Sequence, residues 1–321
     1  MLLLHAQRSA AARRRLVARF ATAAPPPSWL EQCSNLPLIA GEVEGAGRGL
    51  FALVDLPSNA TLSSFSPVAA HPPHNREDLC HACLRSLPPA HVKHAASGKL
   101  LCSPACAQDA ERRYLSAQAS AAGGFAAFER SCAERDVLHP MLAARLALLV
   151  VQGAEHPAAL DSLCFARGAV EEPPPDWVTE HAQLAAAFSR AGLAAGFLTL
   201  PWYVGVLARL HLNAFRVDIM RTDVADIAAL ARFAAEGNGT AVYSLPSLLN
   251  HDCEPNVHAA WTHGDARMTL STRRPVAAGE ELRITYIDSS EHVTKRRQDL
   301  RFAYGFNCKC AACVEEAADD S

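Results

Sequence analysis

The chain has 321 residues, half of them apolar and a fifth charged. That balance excludes a wholly disordered, collagenous or low-complexity chain and leaves room for two domains or for one large core with insertions. Lysine and arginine number 30 against 33 acidic residues, a formal net charge of −3, so a protein that grips nucleic acid mainly by neutralising phosphates is not expected. No apolar run reaches the roughly 18–20 residues needed to cross a bilayer, and no membrane span is expected.

The charge is uneven along the chain. The first 30 residues carry Arg8, Arg13, Arg14, Arg15 and Arg19 and no acid; Glu31 is the first carboxylate. Without those five arginines the remainder holds 25 basic against 33 acidic side chains, a net charge of −8. An alanine-rich, arginine-bearing, acid-free stretch with Leu16, Val17 and Phe20 has the composition of an organelle transit peptide, the bland alternative being a disordered basic tail. Nothing like the apolar core of a secretory leader follows the arginines. Pro25-Pro26-Pro27 then separates the leader from the folded protein. The compartment expected is the mitochondrion and/or chloroplast, with nucleus or cytoplasm as the alternative.

From residue 38 to about 68, apolar and polar residues alternate between turn signals, among them Gly45-Ala46-Gly47-Arg48-Gly49 and Asp55-Leu56-Pro57-Ser58. Short strands joined by tight turns are predicted there. His71-Pro72-Pro73-His74 opens a different section, and residues 108–118 read as helix. The middle, about 125–215, is rich in alanine and leucine with helical spacing of apolar positions, clearest at 141–149 and 202–212. Pro173-Pro174-Pro175 marks a loop between helices. Strands return at 257–261, 268–271 and 282–286, and a short charged helix is predicted over 294–302. Strand-rich ends around a helical middle predict an α+β fold in which the two outer portions meet.

Eleven cysteines fall in sets whose spacing suits metal better than disulfides. Cys80-x2-Cys83 and Cys102-x3-Cys106 supply four thiolates from two short loops, the number a tetrahedral zinc ion takes. Cys308-x-Cys310-x2-Cys313 forms a second set near the C-terminus, while Cys33, Cys132, Cys164 and Cys253 stand alone. Cys33, Cys132 and Cys164 read as ordinary buried thiols. His71, His74, His81, His91 and His94 cluster near the first set, but four cysteines already complete a tetrahedron, so most of these are read as surface residues.

The most informative stretch is Ser244-Leu245-Pro246-Ser247-Leu248-Leu249-Asn250-His251-Asp252-Cys253-Glu254-Pro255-Asn256. Asn250 and His251 stand at the end of an apolar run, Pro255 stiffens the turn, and a metal bound at Cys253 would lock the Asn-His pair. Downstream lie Gly279-Glu280-Glu281-Leu282-Arg283-Ile284-Thr285-Tyr286 and Tyr304-Gly305-Phe306-Asn307-Cys308-Lys309-Cys310-Ala311-Ala312-Cys313. In this order the three motifs resemble those of the SET-domain protein-lysine methyltransferases, and the glycines at 45–49 resemble that family's opening motif. Cys80, Cys83, Cys102 and Cys106 sit where the SMYD branch inserts a MYND zinc finger. The interleaved second zinc site of that finger is missing, so a reduced finger with one zinc is expected. A short SMYD-like chain with a targeting leader resembles the plant trithorax-related SET proteins of organelles.

The resemblance implies a SET-domain β-fold with a zinc-finger insertion, a helical SET insert and a zinc-binding post-SET tail. It divides the chain into a transit peptide (1–30), an N-terminal SET segment (36–70), a MYND-like insertion (71–118), a helical insert (119–240), a C-terminal SET core (241–290) and a post-SET segment (291–321). The implied activity is S-adenosylmethionine-dependent methylation of a lysine on a protein substrate by a monomer. Tyr286 would be the catalytic tyrosine, orienting the amine; a phenol with a pKa of about 10 is a poor general base at neutral pH. Gly47, Arg48, Gly49, Asn213, Asn250, His251, Tyr286 and Phe306 would bind the cofactor, and Tyr304 and Tyr243 would wall the lysine channel. Cys253 would join Cys308, Cys310 and Cys313 on a second structural Zn2+. The alternative is a non-catalytic SET and zinc-finger module that binds cofactor or peptide without turnover. Trp177 and Trp202 read as packing residues, and the basic side chains of 294–301 as a solvated helix face.

Overall fold

The structure is a computed structural model and describes residues 36–219 and 237–319. The arginine-rich leader and Cys33 lie outside the described residues. In chain order the strands are β1 (Leu38–Val43), β2 (Gly47–Ala52), β3 (Thr61–Phe65), β4 (Ala69–His71), β5 (Val92–Lys93) and β6 (Leu100–Leu101). Helices follow: α1 (Pro104–Ala110), α2 (Ser116–Ser120), α3 (Ala122–Glu134), α4 (His139–Val151), α5 (Arg167–Glu171), α6 (Pro175–Arg190) and α7 (Leu200–Asn213). Then come β7 (Ala214–Val217), β8 (Gly239–Val242), β9 (Asn250–His251), β10 (Val257–Ala260), β11 (Met268–Thr272) and β12 (Glu281–Ile284). Two helices, α8 (Val293–Tyr304) and α9 (Ala311–Asp319), complete the described chain. No helix among the described residues is long and apolar enough to cross a membrane.

The chain divides into two compact units. The first gathers residues 36–65, 245–260 and 269–319, so the strand-rich ends do come together. Its main sheet has the order β1-β2-β12-β9, and a second runs β10-β11-β3. β1 and β2 form an antiparallel hairpin with Gly41 opposite Gly49. Its turn needs Gly45 and Gly47, both at positive φ (73° and 78°), a region costly for residues with a Cβ. β12 lies antiparallel to β2 and parallel to β9, with Arg283 opposite Asn250 and Ile284 opposite His251. The Asn-His pair is thus a strand, held in register by the strand that leads to Tyr286.

The second unit comprises residues 66–244, where described, and 261–268. Its central helix is α4, in which every residue from Pro140 to Leu149 is buried. A helix apolar on nearly all sides belongs in a core, and α4 packs on α7 and β4 while α3 packs on α6. Side chains cap two helix starts: Ser103 Oγ accepts from the Cys106 N–H ahead of Pro104, and Thr199 Oγ1 accepts from the Trp202 N–H. The segment between α1 and α2, Glu111–Leu115, is wound as a π-turn. Trp202 is half-buried, its indole donating to the Pro157 carbonyl at 2.8 Å, and Trp177 stacks on His211 at 5.3 Å. Both act in packing.

Candidate active site and thiolate clusters

Within the first unit, Asn250, His251, Tyr286, Tyr304 and Phe306 come together although 56 positions separate the first from the last. Asn250 Nδ2 donates to the Arg48 carbonyl at 3.1 Å and to Glu281 Oε1 at 2.7 Å, tying the Asn-His strand to the glycine hairpin. Gly49 faces this junction. A Cβ there would lie 2.8 Å from Glu281 Oε1, 2.8 Å from Val43 Cγ2 and 3.1 Å from Asn250 Nδ2. Gly49 is therefore set by close approach, whereas Gly47 is set by its backbone angle.

His251 Nδ1 accepts the Tyr286 N–H at 3.1 Å, so the ring proton sits on Nε2, which lies 3.4 Å from Cys253 Sγ. Burial pushes the imidazole down to about 4, which keeps it neutral and suits this arrangement. The Tyr286 hydroxyl donates to the Leu249 carbonyl at 2.6 Å. Its ring lies 5.4 Å from His251 and 4.8 Å from Tyr304, and Phe306 is 6.0 Å from His251. Burial raises the Tyr304 phenol above its ordinary range. These rings make an apolar, electron-rich wall beside a polar strand end.

Cys253, Cys308, Cys310 and Cys313 form a cluster whose sulfurs all lie within 4.8 Å of one another, with Cys253 and Cys313 3.5 Å apart. In the second unit Cys80, Cys83, Cys102 and Cys106 do the same, with pairs at 3.6 Å. Disulfide sulfurs sit about 2.05 Å apart, whereas ligands of a tetrahedral zinc with bonds of about 2.3 Å sit about 3.8 Å apart. The donor set and spacing fit a metal at both places, and each cluster could hold zinc. Backbone N–H groups point at the sulfurs, Cys102 N at Cys80 and Cys310 N at Cys308. Such contacts favour the thiolate form.

The remaining predicted residues, Asn213 and Tyr243, belong to the second unit. Asn213 lies in the second unit at the end of α7, where its amide donates to the Arg209 and Cys164 carbonyls at 2.7 and 2.8 Å. Tyr243 also belongs to the second unit and is fully buried. Its hydroxyl donates to the Ala266 carbonyl at 2.6 Å and accepts from the Trp261 indole at 2.8 Å.

Three expectations are corrected. The basic helix face over 294–301 is not wholly solvated: Arg296 is 4 % exposed, and its guanidinium reaches Glu316 at 2.8 Å and Cys313 Sγ at 3.5 Å. Arg296 falls on the same helical stripe as Val293 and Leu300, three residues after one and four before the other, and so turns inward with them. Its charge offsets that of the thiolates. Burial works against the Cys313 thiolate, but the Arg296 contact and the neighbouring thiols hold the group below its ordinary range. Second, His71 and His81 are buried, at 5 % and 6 % exposed. Apolar β4 carries one inward, and the Cys80–Cys83 loop carries the other. Third, Cys164 is exposed rather than a buried thiol, while Cys132 is buried as expected.

Two residues were not singled out. Glu281 receives Asn250 at 2.7 Å and Arg283 at 2.5 Å. Asn256 donates to Glu280 Oε1 and to the Glu281 carbonyl and accepts the Arg283 N–H. The signal for Glu281 is the period of two in β12, which puts Glu281 and Arg283 on one face.

Comparison with known proteins settles the family. A SET domain model matches residues 47–287, about three-quarters of the chain. The chain belongs to the SET-domain family. It is 35 % identical over 294 residues to histone-lysine N-methyltransferase ATXR4 of Arabidopsis thaliana, covering 86 % of each chain. It is 26 % identical over 261 residues to a SET and MYND domain-containing protein of Dictyostelium discoideum, covering 75 % of this chain and 73 % of that one. Among solved structures, the SET domain of LSMT bound to lysine and AdoHcy aligns with a TM-score of 0.41 at 13 % identity, over 94 % of this chain and 58 % of that one.

Proposed function

We infer that this SET protein is an S-adenosylmethionine-dependent protein-lysine N-methyltransferase whose working residues are those gathered in its first unit. The observation that carries the reading is the convergence of Tyr286, Tyr304 and Phe306 on the Asn250-His251 strand. S-adenosylmethionine supplies an electrophilic methyl group on a sulfonium. Asn250, His251 and Phe306 bind it, with the Gly47-Arg48-Gly49 strand as the surface where a backbone without side chains is approached. Gly49 supports this because it already stands within contact of Asn250 and Glu281.

A lysine attacks only as the neutral amine, and its ordinary pKa is about 10.4. The Tyr286 and Tyr304 rings favour the neutral form by desolvating it. Tyr286 orients the nitrogen; its hydroxyl is held by the Leu249 carbonyl, and positioning of this kind supplies much of the rate of a two-reactant displacement. His251 fixes the Tyr286 backbone through its Nδ1 contact. Zinc is the ion proposed for both thiolate clusters, and at Cys253, Cys308, Cys310 and Cys313 it would anchor the segment bearing Tyr304 and Phe306.

The relatives' names support a histone as substrate, which favours the nucleus or cytoplasm; the composition of residues 1–30 favours an organelle. Fusing residues 1–40 to a fluorescent reporter separates the two. For the activity itself, purified protein with labelled cofactor is expected to label histone or other protein lysines. Tyr286→Phe is expected to lower the rate about a hundredfold or more while leaving cofactor affinity nearly unchanged. Equal rates in variant and wild type would overturn the role of Tyr286. Tight cofactor binding with no transfer across a broad protein panel would leave a binding module instead.

A further inference from the structure

The second unit holds a group of side chains that neither methyl transfer nor the thiolate clusters use. His71 ends β4, His81 sits between Cys80 and Cys83, and Glu129 projects from α3; one ligand atom from each lies within 4.8 Å of the others. All three line a cavity of about 450 Å³.

The hydrogen bonds set the state of each ring. His71 Nδ1 lies 2.7 Å from the Pro72 carbonyl, which can only accept, so Nδ1 carries the proton and Nε2 the lone pair. That Nε2 is buried and has no hydrogen-bond partner. A buried acceptor without a donor is rare in folded proteins and calls for a ligand or an ordered water. Burial and the nearby Arg145 charge hold the ring well below the ordinary histidine range, so it stays neutral with its lone pair available.

His81 Nδ1 lies 3.3 Å from the Tyr114 hydroxyl. Arg145 Nη2 lies 3.1 Å from one ring nitrogen of His81 and 3.3 Å from the other. Arg145 is a donor to this ring, so an ion that takes His81 has to displace that contact. Glu129 Oε1 takes Lys99 Nζ at 2.7 Å.

We propose that His71, His81 and Glu129 form a third metal site, taking a borderline divalent transition metal such as Zn2+ and leaving its remaining coordination positions open to the cavity. Two imidazoles and a carboxylate are the ligand types such ions accept. The Pro72 carbonyl is an outer partner of the kind that holds a ligating imidazole in one tautomer. An ion here competes with Lys99 for Glu129 and stands near Arg145, so the site binds more weakly than the thiolate clusters.

The test uses the full chain with its thiolate clusters loaded with zinc and excess metal removed, titrated with Co2+ alone. The expected result is one further equivalent, with visible ligand-field absorption and no thiolate-to-metal charge-transfer band. His71→Ala and Glu129→Gln are each expected to weaken Co2+ binding about 10- to 100-fold with circular dichroism unchanged. Lys99→Met is expected to strengthen it. No further equivalent in the wild type, a thiolate band on Co2+ addition, or wild-type affinity in both His71→Ala and Glu129→Gln would overturn the site. Glu129→Gln, nearly isosteric, keeps the test decisive if His71→Ala misfolds.

Discussion

The two thiolate clusters share a donor set and differ in how the chain reaches it. The finger cluster is local, with Cys80, Cys83, Cys102 and Cys106 inside 27 residues. In the post-SET cluster, Cys253 must meet three sulfurs that begin 55 residues later. Closing a longer loop costs more chain entropy, though only logarithmically. The greater contrast lies in what each cluster touches. Cys253 contacts His251, and the buried group of Cys253, Val293, Leu300, Cys308 and Cys313 packs against Tyr286 and Tyr304. One cluster packs against the aromatic rings beside the Asn250-His251 strand, and the other joins residues close in sequence.

The largest effect that would break this contrast is a ligand swap. Cys313→Ser is expected to lose one metal equivalent and to weaken S-adenosylmethionine binding about a hundredfold, since Tyr304 and Phe306 lose their anchor. Cys106→Ser is expected to lose one metal equivalent with cofactor affinity changed less than about threefold. Calorimetry with metal analysis on both variants measures this. Equal losses of affinity would erase the distinction.

Next in size is Gly49→Ala, which probes the same wall from the hairpin side. The added Cβ would meet Glu281, Val43 and Asn250 inside normal contact. Overpacking of this sort costs about 1–3 kcal/mol, so cofactor affinity should fall about 10- to 100-fold with both metal equivalents retained. Gly45→Ala meets no neighbour within 4 Å and strains only the turn. It should lower melting temperature more than cofactor affinity.

Arg296→Leu sharpens the contrast at one of the clusters. The substitution keeps the apolar stripe of α8 and removes the guanidinium from Cys313 and Glu316. Outer-shell changes cost about 10- to 100-fold in metal affinity, and competition with a chelator should show that loss at the post-SET cluster alone. A loss of metal from both clusters would mean global unfolding rather than a local charge effect.

How much of this was legible in the sequence follows the range of the interactions. Local spacing gave the cluster of Cys80, Cys83, Cys102 and Cys106, the helices of the middle and the hairpin glycines. Family motifs gave Tyr286, Tyr304, Phe306 and Cys253, whose meeting no local pattern foretells. Arg296 was misread because a run of basic residues looks solvated; only its spacing from Val293 and Leu300 marks it as inward. His71 and His81 were misread because completing a thiolate tetrahedron was taken to leave nearby histidines outside, although a buried ring needs no ion to be buried.

The smallest effect separates the helical unit from both clusters by acid. The His139 and His211 rings meet tilted at 4.2 Å between centroids, with Trp177 stacked on His211. Burial pushes His139 down to about 4 and lowers His211 as well. A histidine whose folded pKa lies below its unfolded value of about 6.5 binds protons more readily when unfolded. Its contribution is therefore neutral above pH 6.5, destabilises progressively as pH falls, and levels off below the folded value. His139→Phe keeps a ring for stacking and removes one proton site, so it should recover about 1 kcal/mol of the stability lost per pH unit between 6.5 and 5.5. Denaturant unfolding at those two pH values, with metal content held constant, measures the difference. If the variant loses as much stability as the wild type over that interval, the acid sensitivity lies elsewhere, and the thiolate clusters, which must shed protons to hold metal, become its source.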